Sequence, residues 1–573
     1  MYRRLSYLSA MLALVMPLAA RASILLPGDP APPLAPGTWL KGDPVKAFEK
    51  GRIYVVEFWA TWCVPCRDSI PHLSELQARY PDVVFIGQDC FEESQAGVPA
   101  FVRSMGDKMS YRVALDDVSA MKDGRMAGTW LQPAGQSGIP VAFLVDRDTK
   151  IAWIGHPSNL EPVLKQVIAG TFNAAPQPAA PAGSLPPSAL AYYTAASARV
   201  VAPDLVKAMV LSHRIGSSIP GIPQYSLDEQ IRVLEMNREA LHLAREGFDF
   251  PAETPTEVGF ATPTVGGLSR LLSLEVEVKE AQQNWAWSAN TGLDFMRVEI
   301  DLSRGAHILS PRLCAGVHDA GRTALYRALP HLGPGPARAA LLRLRRIAGG
   351  RPSAPMMLKA LGEGAAAEEA DTFRDPNWRE NMEKATELLD QISAALEKHP
   401  DRTLHQAKGY TLKRLREFTE AQLLARCADY RARLEAYAAH PYSARHSLPP
   451  IPGDPLNKTK CDMLSFGYFW QLGAAADDSL FSAALAVQAY RGDHGRYPAR
   501  LEELIPTYLD RVTPDPFAGG HPIHFRSKAG HVLIYSVGPD GVDNGGVVSS
   551  GPHLLWMLDV LPRSRGDIML ELK

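Results

Sequence analysis

Cys63 and Cys66 are the residues whose chemistry is most open to reading. Cys63-Val64-Pro65-Cys66 follows directly on Val55-Val56-Glu57-Phe58-Trp59-Ala60-Thr61-Trp62. An apolar strand running into C-x-x-C, with a helix starting at the motif, puts the first sulfur among unpaired N–H groups at the positive end of a helix dipole. Both favour a thiolate. The Cys63 pKa is therefore expected below the free value of about 8.5, within the roughly 3.5–7.5 of such sites. That thiolate can attack a disulfide in a partner. Cys66, one helical turn on, then attacks the mixed disulfide and releases the partner reduced; the reverse cycle oxidises partners. A structural zinc site needs a second ligand pair at matching spacing, whereas Cys90, Cys314, Cys427 and Cys461 are dispersed. A static disulfide would explain the pair without its setting. Peroxidase chemistry is disfavoured, because Thr61 precedes Cys63 by two residues rather than three.

Such a pair needs strands and a helix to hold it. Ile53–Phe58, Val83–Gly87 and Val141–Val145 are rich in β-branched residues and predict buried strands. Ile70, Leu73 and Leu76 recur at helical spacing between the first two. This β-α-β texture predicts a partly parallel sheet covered by helices.

The Val55–Cys66 stretch resembles thioredoxin-like proteins, and its wording is nearest the exported TlpA/ResA branch. The resemblance spans about residues 30–172. A second match is Gly138-Ile139-Pro140-Val141-Ala142-Phe143-Leu144-Val145-Asp146. By this resemblance Pro140 is a cis-proline facing the cysteines, and Ile139 offers backbone hydrogen bonds to a substrate. Trp59 and Trp62 then belong to the surroundings of the substrate groove. Ile151–Gly155 corresponds to the last strand and Leu160–Ile168 to the closing helix. Glu57, six residues before Cys63, matches the buried acid of thioredoxins. Buried there, it would have a raised pKa and relay the proton of the resolving cysteine; on an edge strand it would instead reach solvent. The redox domain needs no cofactor. The TlpA/ResA branch implies a reductant, which requires a thiol electron donor that this chain does not identify.

The remaining chain changes texture twice. A Pro/Ala-rich linker at 173–189 precedes a mainly α-helical region at 190–470. There Ser226 and Glu229 make a capping box, with Leu227, Ile231, Leu234 and Leu241 on one face and Gly247 as the stop. Further apolar faces run from Trp378 to Leu396 and through Leu412, Leu415, Phe418 and Leu434. The stretches 333–336 and 448–455 read as loops. Arg338, Arg343, Arg345, Arg346 and Arg351 read as a solvated helix face, and Trp285 and Trp287 as core. Residues 471–573 predict an α+β module with a short helix from about Asp478 to Gly492, then strands near Ile523–Arg526 and Val532–Val537. Its Tyr497-Pro498, Asp515-Pro516-Phe517 and Tyr535-Ser536-Val537-Gly538-Pro539-Asp540-Gly541 segments, ending Val542-Asp543-Asn544-Gly545-Gly546, resemble the head of type II secretion major pseudopilins. That resemblance implies calcium at Asp540, Asp543 and Asn544, whose oxygens suit the ion. The alternative is a Gly/Asp turn held by side-chain to backbone bonds. The short helix argues against filament assembly.

The expected fold class is thus multi-domain: an α/β thioredoxin-like domain at 23–172, the linker, the helical region and a small pseudopilin-like module. The length of 573 residues agrees with about three to five domains. Sixty Lys and Arg against 62 Asp and Glu argue against nucleic acid as a partner. An apolar share of 46% excludes global disorder, and six cysteines exclude a disulfide scaffold. Residues 1–22 read as an export signal: Arg3 and Arg4, an apolar run from Leu5, then Ala20-Arg21-Ala22 as cleavage site. The expectation is an exported, periplasmic or otherwise extracytoplasmic oxidoreductase acting on disulfide-containing partners. Membrane association follows only if the N-terminal segment stays uncleaved. The competing expectation is a cell-envelope scaffold whose thiol domain is vestigial.

Overall fold

The computed structural model describes residues 24–119, 121, 124–136, 138–172, 185–215, 224–252, 262–304, 310–374, 377, 380, 419–440, 442, 449, 455–528, 530–547 and 567–572. The expected export signal, linker residues 173–184, the apolar face Trp378–Leu396 and residues 412, 415 and 418 lie outside them. The chain divides into two compact units, one of Met1–Ala179 with Arg199–Glu239 and one of Ala180–Ala198 with Ala240–Lys573.

The first unit is built on six strands: β1 (Trp39–Lys41), β2 (Ile53–Trp59), β3 (Val83–Asp89), β4 (Arg112–Ala114), β5 (Val141–Val145) and β6 (Ile151–Gly155). Their order is β1-β4-β3-β2-β5-β6. β2 pairs in parallel with β3, Ile53 opposite Val83 and Trp59 opposite Asp89, and antiparallel with β5. A strand so placed is covered on both faces, which is why it reads as an almost unbroken apolar run. Its alternation feeds two cores. Ile53, Val55 and Trp59 pack with Cys66, Ile70, Leu73 and Leu76 of helix α1 (Val64–Arg79) and with Leu160 and Leu164 of helix α3 (Leu160–Ala169). Helix α2 (Val98–Met105) adds Val98 and Val102 to the same core. Tyr54, Val56 and Phe58 pack on the other face with Trp130 and Phe143.

Residues 199–239 pack with this unit rather than with the helical region expected from 190 onward. Gly135 lies so near Leu205 that a Cβ there would sit 2.5 Å from the Leu205 Cα. Arg232 pairs with Asp29. The Asn237 amide binds both backbone groups of Val201, at 2.7 and 3.2 Å. The Ser226–Glu229 capping box is present. The helix it opens, Leu227–Met236, ends at Asn237 rather than Gly247, and Arg238–Glu246 forms a separate helix.

The second unit is mostly helical, and its charged residues depart from expectation. Arg351 is buried and binds Glu299 and Asp478. Arg343 pairs with Asp294, Arg338 with Asp493 and Arg345 with Asp510. Arg338 and Arg345 form their pairs on the exposed face expected for the cluster, whereas the Arg351 side chain is withdrawn from solvent because Glu299 and Asp478 from other helices lie opposite it. Residues 333–336 open the helix Pro334–Ala348 instead of forming a loop, proline being favoured in a first helical turn. Trp287 is exposed rather than core, with Arg245 and Lys279 over its ring. The expected short helix at 478 is part of a 40-residue helix, Pro455–His494. Asp477 and Asp478 do not end it, because His318 and Arg322 neutralise the first and Arg351 the second. The antiparallel strands β7 (His524–Lys528), β8 (His531–Ser536) and β9 (Ile568–Leu572) follow. β8 and β9 pack on that long helix through Val532, Ile534, Leu570 and Leu572. Among the described residues no helix is long and apolar enough to cross a membrane.

Candidate active site

Cys63 is the N-cap of α1. Its backbone is extended (φ −79°, ψ 102°), and its Sγ accepts the Cys66 N–H at 3.2 Å. Pro65 fits in this first turn because N–H groups there have no partner within the helix. Cys63 and Cys66 are joined in a disulfide. The Cys63 sulfur lies 3.7 Å from the Ile139 carbonyl oxygen, and the Ile139–Pro140 peptide is cis. Thus residues 76 positions apart in sequence are brought together by β2 and β5, paired side by side.

The surroundings are asymmetric. Cys66 is fully buried, and Cys63 is 4% exposed. Trp62 and Val64, flanking Cys63, are 58% and 63% exposed and offer an apolar surface beside the sulfur. Trp59 is placed differently. It is fully buried and stacks on Phe101 at 5.5 Å, beneath the site rather than on an open groove, because it ends the central strand pointing into the α1 core.

Glu57 lies on a central strand and is buried, so the edge-strand alternative does not apply. Among the described residues no donor reaches either carboxyl oxygen. Burial alone pushes its pKa up to about 8. Opposite it in register is Gly87, where a Cβ would meet the Tyr111 ring at 2.7 Å and the Trp59 indole nitrogen at 3.2 Å. Tyr111 is also buried, and burial, then the Glu57 charge, raises its hydroxyl pKa. Glu57 can thus hold a proton near neutral pH on the side of β2 whose core contains both cysteines. Cys90 is buried at the end of β3. Burial, then Asp89 and other nearby acids, raises its thiol well above the usual range, so it is no second thiolate.

The residues missed from sequence follow β3. Glu92 and Phe91 bind Thr61 and Trp62, just before the nucleophile. Nothing in their spacing marks them; only the parallel pairing of β2 with β3 brings their loop there.

In the C-terminal loop, Asp543 accepts from Tyr535 Oη at 3.0 Å and the Gly545 N–H at 2.9 Å. The Asn544 amide donates to Asp540 at 3.3 Å, and Asp540 also accepts the Val542 N–H. Asp540, Asp543 and Asn544 are thus linked to one another and to the loop backbone by local bonds. Among the described residues no group of three or more His, Cys, Asp or Glu is placed to hold a metal ion.

A disulfide-linked cysteine pair at a helix tip, beside a cis-proline segment brought there by the pairing of β2 with β5, defines a thioredoxin-type redox centre. The thioredoxin family profile matches residues 45–111. Protein FixW of Rhizobium leguminosarum is 36% identical over 161 residues, covering 27% of this chain and 71% of that protein. The chain therefore belongs to the thioredoxin family, through its N-terminal unit. Thiol-disulfide oxidoreductase ResA of Bacillus thuringiensis (strain Al Hakam) is 33% identical over 104 residues, covering 18% of this chain and 53% of that protein. The chain thus spans about half the length of ResA. A solved thiol-disulfide isomerase from Corynebacterium glutamicum is 18% identical, over 25% of this chain and 97% of that one, with a TM-score of 0.21. The N-terminal unit is a thioredoxin-fold thiol–disulfide oxidoreductase domain.

Proposed function

We propose that the whole protein is an exported thiol–disulfide oxidoreductase that reduces or exchanges disulfides in extracytoplasmic proteins. One observation carries the reading: the N-cap sulfur of Cys63 stands 3.7 Å from the Ile139 carbonyl, beside the exposed Trp62 and Val64. In the reduced enzyme the Cys63 thiolate attacks one sulfur of a partner disulfide. A Cys63–partner disulfide forms, and the partner's other sulfur leaves as a thiolate. Cys66, deprotonated with Glu57 as acceptor, attacks the Cys63 sulfur. The Cys63–Cys66 disulfide forms and the partner leaves as a dithiol, two electrons richer. A thiol donor must then return two electrons. Pro140 and Ile139 wall the groove, and Trp62 meets the partner. The relatives named as thiol-disulfide oxidoreductases support this reading, as does the apolar surface around Cys63.

The C-terminal module has a separate place in the proposal. A long helix followed by a three-stranded antiparallel sheet supports its reading as a pseudopilin-like recognition module. A Cys66→Ser variant in cells should accumulate mixed disulfides through Cys63, while wild type reduces insulin and Cys63→Ser does not. If Cys66→Ser captures nothing and wild type reduces no disulfide, the scaffold reading replaces this one.

A further inference from the structure

Three consecutive residues after β3 grip the segment that leads into Cys63. The Cys90 N–H donates to the Trp59 carbonyl at 2.9 Å. The Phe91 carbonyl accepts the Trp62 indole N–H at 3.0 Å. The Glu92 carboxylate accepts twice from Thr61, from its N–H at 2.5 Å and from its hydroxyl at 2.9 Å. Phe91 stands at φ 56°, a left-handed conformation that bulky residues seldom adopt. With that turn, the 91 carbonyl and the 92 carboxylate both end on residues 61 and 62. Backbone held this way against preference points to a use for the geometry it creates.

Residues 60–62 belong to neither β2 nor α1. Their polar groups need partners supplied from elsewhere. The Cys63 N–H donates to the Ala60 carbonyl at 3.2 Å, so this short turn sets where the nucleophile and the exposed Trp62 point. A charged acceptor taking two donors is the strongest anchor available to it. Glu92 touches neither cysteine.

We infer that Glu92 is a positioning residue for the exchange reaction: by clamping Thr61 it fixes the turn that aims the Cys63 sulfur and Trp62 at the partner disulfide. The inference rests on the redox function proposed above. Its loss leaves the cysteines and the helix tip in place but lets the turn wander, and misplacement of an attacking atom is costly in rate.

The test uses the full chain as wild type, Glu92→Ala, Glu92→Gln and Thr61→Val, with Cys63→Ser as the inactive control. Insulin reduction, the ultraviolet absorbance of the Cys63 thiolate against pH, and the melting midpoint are measured for each. Glu92→Ala should lower kcat/KM about 10-fold and displace the thiolate titration. Glu92→Gln keeps an acceptor oxygen for Thr61, and should recover most of the rate. Thr61→Val, which loses one of the two bonds, should fall between. If wild type is active and Glu92→Ala matches it in both rate and titration, the clamp does not position the nucleophile. A lowered melting midpoint with rate and titration unmoved also overturns the inference, since Glu92 then serves only the fold. If wild type itself reduces nothing, the redox reading fails instead.

Discussion

The redox unit and the helical unit bury charge in opposite ways. In the redox unit the Glu57 carboxyl has no donor among the described residues, and burial pushes its pKa up to about 8. Asp89 follows: burial first, and then the neighbouring Glu92, raise it to about 8. In the helical unit the Glu299 carboxylate receives Arg351 at 2.8 and 3.0 Å and faces His318 at 3.3 Å. Burial would raise Glu299, but Arg351 and His318 outweigh it and hold it below the usual glutamate range. Paired buried charges lock helices in one register, whereas breaking such a pair leaves a charge with no compensation. An unpaired buried carboxyl weakens the fold, and it stands where a proton has to move during reaction.

The largest effect is expected at Arg351, which binds two carboxylates of the paired network. Arg351→Met leaves Glu299 and Asp478 buried without their shared partner, and should cost about 3–5 kcal/mol of stability. Denaturant unfolding read by hydrogen exchange in helix Trp285–Ser303 checks this. A cost under about 1 kcal/mol would mean that the pairing does not lock the bundle. His318 tests the same network through pH. Burial alone would lower its pKa, but its bonds to Asp477 and Glu299 push it up to about 9. A histidine raised in the folded state contributes stability that is complete below its unfolded value of about 6.5 and is lost as pH rises through the folded value. The helical unit should therefore lose roughly 2–3 kcal/mol between about pH 7 and 9, at about 1.4 kcal/mol per pH unit. In His318→Gln that slope should vanish. Equal slopes in the two proteins would show that His318 does not carry the charge.

What could be read from sequence followed from local pattern. β2, β3 and β5 announce themselves by β-branched runs and α1 by Ile70, Leu73 and Leu76, while β6 came only through the family resemblance, so the frame of the redox site was legible. The cysteine pair was legible because a helix tip follows from Pro65 and the strand before it. Glu92 was not, since its role exists only once β3 lies beside β2. Trp59 and Trp62 look alike in sequence, but strand alternation sends one into the core and leaves the other in the turn. The arginine cluster misled for a similar reason: Arg343 and Arg351 find Asp294, Glu299 and Asp478 on helices distant in sequence. The 40-residue helix was hidden because Asp477 and Asp478 look like a break until His318, Arg322 and Arg351 stand opposite them.

Glu57→Gln probes the unpaired side of the comparison. The folded protein keeps the Glu57 proton to about pH 8, while the unfolded chain releases it near 4.5. Across that window the folded state binds the extra proton, so stability must fall as pH rises. The decline attributable to Glu57 is on the order of 2 kcal/mol between about pH 6 and 7.5, and Glu57→Gln should remove it. Asp89 remains in the variant, so the pH slope should shrink rather than disappear. The gain in stability should come with a loss in chemistry: without a proton acceptor, Cys66 attacks more slowly and the mixed disulfide should persist about 10-fold longer. Thermal unfolding against pH and quenched-flow trapping of the mixed disulfide measure the two effects. A variant with the wild-type pH slope would show that Glu57 is not the unpaired group, and one that resolves its mixed disulfide at the wild-type rate would show that the Cys66 proton leaves by another route.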